Sequence, residues 1–302
     1  MLSVVIPSYN EENLIKNTAG TLKKVLTRAD IDYELVFVND GSSDNTQQRI
    51  EDLSDNDPKI RFVCFSRNFG KEAAIFAGLA AAKGECVAVM DCDLQHPPAT
   101  LVEMYGEWRK GYEVVEGVKR SRGEESGAHR FSAGTFYRLM SKATGMDMSR
   151  ASDFKLLDRK AVDALLSFPE YHVFFRALSS LVGFKKTSVD FDVAERTEGE
   201  SKWSTASLIK YALNNIVEYS AFPLHIVTWA GVFTLIVSVF LGIETLVRYF
   251  LGNSAEGFTT VILLQLFTGS IIMIGIGILG FYLSKVYDEV KRRPRYIISK
   301  MN

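Results

Sequence analysis

Residues 85–98 read Glu85-Cys86-Val87-Ala88-Val89-Met90-Asp91-Cys92-Asp93-Leu94-Gln95-His96-Pro97-Pro98, an apolar run followed by acidic and polar residues. The apolar run predicts a buried strand. Residues two apart in a chain that leaves a strand point the same way, so Asp91 and Asp93 can face one cation. Mg²⁺ and Mn²⁺ prefer such carboxylate oxygens together with substrate phosphates. The segment therefore predicts a metal site that holds a diphosphate, and an acidic loop or helix cap is the alternative.

Short apolar runs alternate with helical patterns over residues 1–120. The runs predict strands at Leu2–Pro7, Tyr33–Asn39, Ile60–Phe65, Glu85–Met90 and Glu113–Gly117. The patterns between them predict helices at Glu11–Arg28, Asp44–Leu53, Phe69–Ala82 and Ala99–Lys110. This spacing indicates βαβ units, and hence an α/β fold with a mainly parallel sheet. Ligands of such sheets bind beyond the carboxyl ends of the strands.

Polar residues also follow the first three predicted strands. They read Ser8-Tyr9-Asn10-Glu11, Asn39-Asp40-Gly41-Ser42-Ser43-Asp44 and Ser66-Arg67-Asn68-Phe69-Gly70-Lys71. We expect Asp40 to face the cleft and to accept hydrogen bonds from a ribose or a base, and a structural turn is the alternative. Asp44 has the spacing of a helix cap. We expect Lys71 to bind a donor phosphate, and pairing with Glu72 or with solvent is the alternative.

The segment from Pro223 to Ser284 is far more apolar than the rest of the chain. Its formal charges are Glu244, Arg248 and Glu256. Leu224–Ile243 and Gly257–Ser284 are uncharged, and each is long enough to cross a hydrocarbon core of ~30 Å. Glu244 and Arg248, four residues apart, have the order that favours a helical ion pair. We predict a hairpin of two transmembrane helices; two buried core helices would need a surrounding protein layer that the chain does not offer.

Basic residues follow the second predicted span, whereas the link 252–257 contains no Lys or Arg. These basic residues are Lys285, Lys291, Arg292, Arg293, Arg295 and Lys300. The positive-inside rule then places both flanks of the hairpin, and both termini, in the cytosol. Met1–Pro7 is too short for the apolar core of a secretory signal, which agrees with a cytosolic N-terminal body. We expect the tail to act as a stop-transfer signal or to contact anionic headgroups.

The patterns divide the chain into four parts. They are a cytosolic domain at 1–203, membrane-surface amphipathic helices at 204–222, the transmembrane hairpin at 223–284 and a basic cytosolic tail at 285–302. Just before the surface helices, Arg196, Ser201 and Lys202 surround a flexible glycine at the bilayer boundary. A cationic segment in that place is suited to grip an anionic headgroup.

Composition excludes several classes of protein. The 302 residues include 47% hydrophobic and 24% charged residues, with 35 basic against 36 acidic side chains. That length allows about two domains, so a peptide hormone, a small disulfide knot and a fibrous repeat are excluded. We expect no nucleic-acid partner. Cys64, Cys86 and Cys92 match no zinc or disulfide spacing, and we expect them to be reduced packing residues.

Six segments together resemble the polyprenyl-phosphate glycosyltransferases of glycosyltransferase family 2, most of all bactoprenol (undecaprenyl-phosphate) glucosyltransferases and more distantly dolichyl-phosphate mannose synthase. The segments are Val4–Glu12, Val38–Asp44, Arg67–Lys71, Asp91–Pro98, Asp153–Phe154 and Gly199–Lys202. The resemblance extends over essentially the whole chain. It implies an A-type glycosyltransferase domain, Rossmann-like with a mainly parallel sheet, followed by membrane-surface helices and the two-helix hairpin.

The resemblance also implies roles for individual residues. The nucleoside pocket would be lined by Pro7, Tyr9, Glu11 and Asp40. Phosphates of donor or lipid would contact Arg120, Arg196, Ser201 and Lys202. The catalytic residues would be Asp91 and Asp93, which hold Mg²⁺ or Mn²⁺ with Gln95 nearby, and Asp153, which lies near the acceptor. Asn39, where many relatives have Asp, is expected to affect base recognition, and Cys92 in place of Ala or Val is expected to be neutral.

The implied reaction is metal-dependent transfer of a hexose, with inversion, from a nucleotide sugar to undecaprenyl phosphate at the cytosolic membrane face. UDP-glucose is the first donor expected; UDP-N-acetylglucosamine, UDP-galactose and GDP-mannose are alternatives. An inactive nucleotide-sugar or lipid-binding scaffold is the alternative of another class. A processive polysaccharide synthase is disfavoured because the chain has no Gln-x-x-Arg-Trp segment. Expected partners are a separate flippase, a downstream glycosyltransferase and further copies of the chain, for example in a tetramer.

Overall fold

The chain folds as two units, which the computed structural model describes over residues 1–120, 152–171, 173–192, 222–251 and 258–302. The first unit comprises Met1–Trp203 and Arg293–Asn302, and the second comprises Ser204–Arg292. The strands are β1 (Leu2–Ser8), β2 (Tyr33–Asn39), β3 (Ile60–Phe65), β4 (Cys86–Val89), β5 (Val114–Lys119), β6 (Lys155–Asp158), β7 (Lys186–Phe191) and β8 (Ile298–Met301). The helices are α1 (Ile15–Arg28), α2 (Thr46–Asn56), α3 (Lys71–Ala81), α4 (Pro98–Arg109), α5 (Arg159–Ser167), α6 (Phe175–Leu181), α7 (Phe222–Phe250) and α8 (Phe258–Lys291).

The eight strands form one sheet in the order β7-β5-β6-β4-β1-β2-β3-β8. Its centre, β4-β1-β2-β3, is entirely parallel, and β1 pairs with β2 from Leu2↔Tyr33 to Ser8↔Asn39. The carboxyl ends of these four strands therefore meet at one edge. The predicted α/β fold with a mainly parallel sheet is confirmed.

Strand β6 runs antiparallel between β4 and β5, which local sequence patterns did not predict. Its register pairs Val89 with Lys155 and Cys86 with Asp158. The amino end of β6 consequently lies beside the carboxyl end of β4. Asp153, two residues before Lys155, is thereby brought to the edge that carries Asp91.

Helix α3 packs so closely on the sheet that its position is fixed. A Cβ atom added at Gly78 would lie 2.2 Å from Val5 Cγ1, so only glycine allows this approach. The residues from Ala73 to Leu79 are all buried. Because this close packing fixes the helix, its first residue, Lys71, has a defined place at the edge where the carboxyl ends of the parallel strands meet.

The three cysteines are buried, as the sequence predicts. Burial raises the pKa of the Cys86 and Cys92 thiols to about 12 and that of the Cys64 thiol to about 11. A thiol with so high a pKa forms little of the reactive thiolate at neutral pH. These residues therefore act in packing.

Helix α2 begins differently from the prediction. Its N-cap residue is Asn45, whereas the sequence indicated Asp44. The carboxylate of Asp44 accepts hydrogen bonds from the backbone N–H groups of Thr46 at 3.0 Å and Glu12 at 3.2 Å. Asp44 thus satisfies one free N–H of the helix and also ties the loop after β1 to the loop after β2.

The last ten residues, 293–302, form a C-terminal strap on the first unit. The sequence placed them in a separate basic tail, but β8 within them pairs antiparallel with β3, from Val63↔Met301 to Phe65↔Ile298. Arg295 Nε donates to the carbonyl oxygen of Glu170 at 2.7 Å, and Arg295 Nη2 donates to that of Phe168. The guanidinium of Arg295 therefore has hydrogen-bond partners inside the first unit. A local sequence pattern cannot predict these hydrogen bonds, because the partners lie far away in the sequence.

The second unit contains two helices that are long and apolar enough to cross a membrane. These candidate segments are Leu224–Phe250 and Leu264–Lys291, and 0% and 6% of the most apolar stretch of each are buried. Core helices of a soluble protein would be mostly buried. The predicted ion pair is present, with Arg248 Nη2 2.6 Å from Glu244 Oε1. A Cβ atom at Gly275 would lie 3.0 Å from Val227 Cγ1, so this glycine allows α7 and α8 to approach closely.

Substitution of Arg295 tests the strap. Arg295→Ala leaves two carbonyl groups without their donor, and we expect the unfolding free energy of the first unit to fall by about 2 kcal/mol. This corresponds to a decrease of about 4–8 °C in the midpoint of thermal unfolding, measured by circular dichroism on the full chain in detergent. The exposed neighbour Arg293 provides the matched control, Arg293→Ala. Equal midpoints for the two variants would contradict the role of Arg295.

Candidate active site

The turn that follows β4 holds the two predicted metal ligands. Thr18 Oγ1 donates to the carbonyl oxygen of Cys92 at 2.6 Å, which ties the turn to α1. The backbone N–H of Gln95 donates to Asp93 Oδ1 at 3.1 Å. Leu94 has a φ of +56°, a left-handed conformation that bends the chain sharply after Asp93. The turn is therefore held by one hydrogen bond to α1 and by a second one within the turn itself.

Lys71 forms ion pairs with two carboxylates at once. Its Nζ lies 2.6 Å from Asp91 Oδ1 and 2.8 Å from Asp153 Oδ2. Asp91 follows β4, Asp153 precedes β6, and Lys71 begins α3, so three elements converge on one ammonium group. The structure brings these three predicted site residues together.

Arg176, on α6, completes the arrangement and was missed by the sequence analysis. Its Nε lies 2.6 Å from Asp153 Oδ1, and its Nη2 donates to Asp153 Oδ2 at 2.8 Å. We call Lys71, Asp91, Asp153 and Arg176 the Lys71 cluster. One signal was available in the sequence: Arg176 stands among the apolar residues of Phe174-Phe175-Arg176-Ala177-Leu178, and a cation on such a segment needs an acidic partner.

The cluster keeps its carboxylates ionised. Burial alone would raise the pKa of Asp153, but the charges of Lys71 and Arg176 hold it well below its usual range. Burial is likewise outweighed at Asp91, where the Lys71 ammonium lowers the pKa. The two aspartates in turn raise the pKa of Lys71 against the effect of burial. All four groups are therefore charged at neutral pH.

A second layer of polar contacts fixes α6 and hence Arg176. The fully buried Lys155 Nζ lies 2.7 Å from Glu116 Oε1 and donates to Ser179 Oγ at 2.7 Å. The backbone N–H of Phe175 donates to Glu72 Oε2 at 2.8 Å. Burial, and next the charge of Asp153, raises the pKa of Glu72 to about 7.

Residues predicted for the nucleoside pocket lie at the same edge, near the carboxyl ends of β1 and β2. Pro7 is half-buried within β1, and Tyr9 is 41% exposed just after it. The backbone N–H of Glu11 donates to Thr46 Oγ1 at 2.8 Å. Asp40 is buried, and its two oxygens accept hydrogen bonds from the N–H groups of Phe69 at 2.7 Å and Gly70 at 2.9 Å. These hydrogen bonds agree with the alternative role of Asp40, in a structural turn. The contact of Asp40 with a nucleoside stays a prediction.

The predicted phosphate-binding residues divide into two groups. Arg120 follows β5 at the same edge; its backbone N–H donates to Phe191 O at 2.9 Å, and its Nη1 lies 3.7 Å from Asp192 Oδ2. Arg196, Ser201 and Lys202 lie outside the described residues, as do the predicted surface helices up to residue 221.

The donor set at Asp91 and Asp93 fits a divalent cation that is shared with a substrate. No group of three potential His, Cys, Asp or Glu ligands occurs within the described part of the chain. His96 is buried and stacks on Phe154 with ring centroids 4.7 Å apart, and burial lowers its pKa. Mg²⁺ is commonly held by one or two carboxylates together with substrate phosphates, so two aspartates in the turn after β4 meet that need.

Comparison with known sequences identifies a family and full-length relatives. Residues 3–166 match the family model described as glycosyl transferase family 2. An uncharacterized glycosyltransferase of Synechocystis sp. is 38% identical over 305 residues, which cover 99% of this chain and 95% of that protein. The SfII prophage-derived bactoprenol glucosyl transferase of Shigella flexneri is 36% identical over 304 residues, which cover 99% of this chain and 97% of that protein.

Comparison with solved structures supports the fold. The glucosyl-3-phosphoglycerate synthase of Mycobacterium tuberculosis, solved in complex with Mn²⁺, UDP and glucosyl-3-phosphoglycerate, superimposes with a TM-score of 0.54. The match has 21% sequence identity and covers 72% of this chain and 77% of that chain. At this identity the similarity concerns the fold.

Glu72 provides a test of the site's electrostatics through pH. Its pKa in the folded protein, about 7, lies above the ordinary value of 4.5, so the folded state binds more protons between these values. The stability that Glu72 contributes therefore falls as pH rises through this window. We expect Glu72→Gln to have nearly the wild-type unfolding midpoint at pH 4.5 and a higher one than the wild type at pH 7.5.

Thermal unfolding at a series of pH values measures this difference. The exposed Glu103 supplies the matched control Glu103→Gln, which removes one carboxylate from the surface of α4. A difference between wild type and Glu72→Gln that stays constant from pH 4.5 to 7.5 would show that Glu72 does not titrate in this window.

Proposed function

Because the chain belongs to glycosyltransferase family 2, we propose that it transfers a glucosyl group from UDP-glucose to undecaprenyl phosphate, with inversion, at the cytosolic face of the membrane. The chain is a glycosyltransferase with an A-type fold. One observation supports the proposed chemistry above others: Lys71, Asp91, Asp153 and Arg176 converge at the carboxyl edge of the sheet. Relatives that match over nearly their full length and are named bactoprenol glucosyl transferase support the acceptor.

Asp91 and Asp93 are the residues proposed to hold Mg²⁺ or Mn²⁺. A divalent ion at this place supplies Lewis-acid stabilisation of the charge that develops on a departing nucleoside diphosphate. Pro7, Tyr9, Glu11 and Asp40 are proposed to surround the nucleoside, and Gln95 and Arg120 to lie along the diphosphate. Lys71 adds an ammonium group that can donate to a donor phosphate.

The proposed nucleophile is the phosphate of the lipid. A phosphomonoester has a second pKa near 6, so it is largely dianionic at neutral pH and needs no strong base. Both oxygens of Asp153 are engaged by Arg176 and Lys71, which supports a positioning role for this carboxylate. Arg196, Ser201 and Lys202 are proposed to hold the attacking phosphate. A single displacement then inverts the anomeric carbon, since no protein nucleophile intervenes.

The course of the chain supports one sidedness for the proposed membrane protein. The chain leaves the first unit, passes through α7 and α8, and returns to the first unit as β8. If both helices span the bilayer, the two crossings bring the C-terminal strap back to the side of the catalytic domain. The link without Lys or Arg then lies outside, as the positive-inside rule requires. We therefore propose a multi-pass membrane protein with both termini in the cytosol.

Other donors and partners belong to the same proposal. UDP-N-acetylglucosamine, UDP-galactose and GDP-mannose are the competing donors, and Asn39 near the nucleoside pocket is the departure that bears on base choice. Two spans do not suffice to carry a glycolipid across the bilayer, so a separate flippase and a downstream glycosyltransferase are proposed. A homo-oligomer such as a tetramer is proposed as the working form.

A panel of labelled nucleotide sugars tests the reaction. Membranes that contain the full chain, given undecaprenyl phosphate and Mn²⁺ or Mg²⁺, should form a labelled glycolipid from UDP-glucose faster than from the other three donors. A chelator should stop the reaction, and added metal should restore it. Release of free hexose alone, without any glycolipid, would contradict the proposal and favour another acceptor; binding of UDP-glucose without turnover would favour a scaffold.

Two variants separate the proposed roles in this assay. We expect Asp91→Asn to lose about 10³-fold or more in rate, because the metal contributes several kcal/mol to the transition state. Asp153→Asn should lose about 10²-fold, the cost of a misplaced reactant. If Asp153→Asn were as inactive as Asp91→Asn, Asp153 would be an essential base.

Cysteine labelling in intact bacterial cells tests the sidedness. The three native cysteines are buried, so they should contribute little background. We expect Ser254→Cys, in the link between the spans, to react with a membrane-impermeant maleimide in intact cells. Gln48→Cys, on the exposed face of α2, should react only after the cells are opened. Protection of both residues in intact cells, or labelling of both, would contradict a hairpin with a cytosolic catalytic domain.

A further inference from the structure

Lys71 stands where its ammonium neutralises a proposed metal ligand. The 2.6 Å ion pair to Asp91 and the 2.8 Å ion pair to Asp153 place one cation between two carboxylates. The backbone of Lys71 is fixed by the buried helix α3, whereas its side chain is 42% exposed. A lysine side chain with four carbon atoms can therefore move its charge while its backbone stays in place.

A divalent ion on Asp91 must compete with this ammonium. Two cations at one carboxylate repel each other, and the interaction of unit charges about 4 Å apart is about 1 kcal/mol even in water. The ion pair to Asp91 therefore weakens metal binding for as long as Lys71 has no other partner for its charge.

Asp153 keeps Lys71 close when the contact to Asp91 is lost. Arg176 holds both oxygens of Asp153, at 2.6 Å and 2.8 Å, so this carboxylate remains in place. An ammonium has three N–H donors, and only one of them is needed for Asp153. The others are then available to a phosphate oxygen next to the metal site.

We propose that Lys71 is a tethered counter-ion, which occupies Asp91 until a nucleoside diphosphate arrives and then moves to a donor phosphate while it stays paired with Asp153. The proposal rests on the metal site of the proposed function. Its consequence is thermodynamic: the nucleotide offers Lys71 a new partner and so makes room for the metal. Metal and nucleotide must then strengthen each other's binding by the same factor.

Binding of Mn²⁺ tests this proposal without any turnover. Free Mn²⁺ is measured by electron paramagnetic resonance in titrations of the full chain in detergent, with and without UDP. In the wild type, UDP should tighten Mn²⁺ binding. Lys71→Met removes the competing charge, and we expect it to bind Mn²⁺ alone about five- to tenfold more tightly than the wild type. The factor by which UDP tightens Mn²⁺ binding should fall in this variant.

Two further variants control the experiment. Lys71→Arg keeps the charge and should bind Mn²⁺ alone as weakly as the wild type, provided that its circular dichroism is unchanged. Lys110, which pairs with Glu107 at 2.6 Å on the surface, supplies the matched control Lys110→Met, which should change neither affinity nor coupling.

The outcomes distinguish this proposal from the proposed function. If Lys71→Met binds Mn²⁺ alone no more tightly than the wild type, or if UDP tightens Mn²⁺ binding equally in both, the counter-ion role is overturned and the metal site stands. If neither protein binds Mn²⁺ in the presence of UDP, the metal site itself is overturned, and the counter-ion role falls with it. Tighter Mn²⁺ binding to Lys71→Met together with reduced coupling supports the proposal.

Discussion

The ion pairs of Lys71 with Asp91 and Asp153 are the interaction on which the candidate active site depends. Two carboxylates that share a desolvated site repel each other, and one of them would take up a proton if no cation stood between them. Lys71 removes that repulsion, and Arg176 adds a second positive charge on Asp153. Asp153 is the buried member of these pairs, and removing the partner of a buried carboxylate is costly because it leaves an uncompensated charge. The turn after β4, the start of β6 and the N-terminus of α3 are therefore held to one another by charge as well as by backbone pairing.

The backbone that brings these charges together is only partly local in sequence. Strand–helix alternation in residues 1–120 predicted the parallel centre of the sheet, and with it the common edge where Asp91 and Lys71 lie. The pairing of β6 with β4 was not predictable in the same way. The four residues of β6, Lys155–Asp158, begin with a lysine, which breaks the apolar pattern of a central strand. That lysine is tolerated because Glu116 on β5 and Ser179 on α6 both contact it, and neither neighbour is evident from the sequence alone.

The same limit explains the other differences between prediction and structure. The hydrogen bonds that the oxygens of Asp40 accept from the N–H groups of Phe69 and Gly70 were not predictable, because the proximity of these groups depends on how the loop after β3 folds; the contact of Asp40 with a nucleoside stays a prediction. Arg295 was grouped with a basic tail because charge counts ignore partners, yet its guanidinium donates to carbonyl groups more than a hundred residues earlier. Residue type thus predicts which functional groups lie at an edge of the sheet. Contacts between residues that are distant in sequence decide which of these groups already have a partner.

The pairing of Lys71 and Arg176 with carboxylates bears on the proposed reaction, because both substrates of that reaction are anionic. A glycosyl transfer between a nucleotide sugar and a lipid phosphate brings two anionic groups together, so the site must supply positive charge for both. Within the described residues, Lys71 and Arg176 are both paired with Asp153, and a metal on Asp91 and Asp93 would chiefly serve the diphosphate. In the proposed reaction, the phosphate of the lipid would be bound by cations on the side where its isoprenoid tail lies in the bilayer. Arg196 and Lys202 precede the apolar segments by a short stretch of chain, and this place in the sequence supports their assignment to the acceptor.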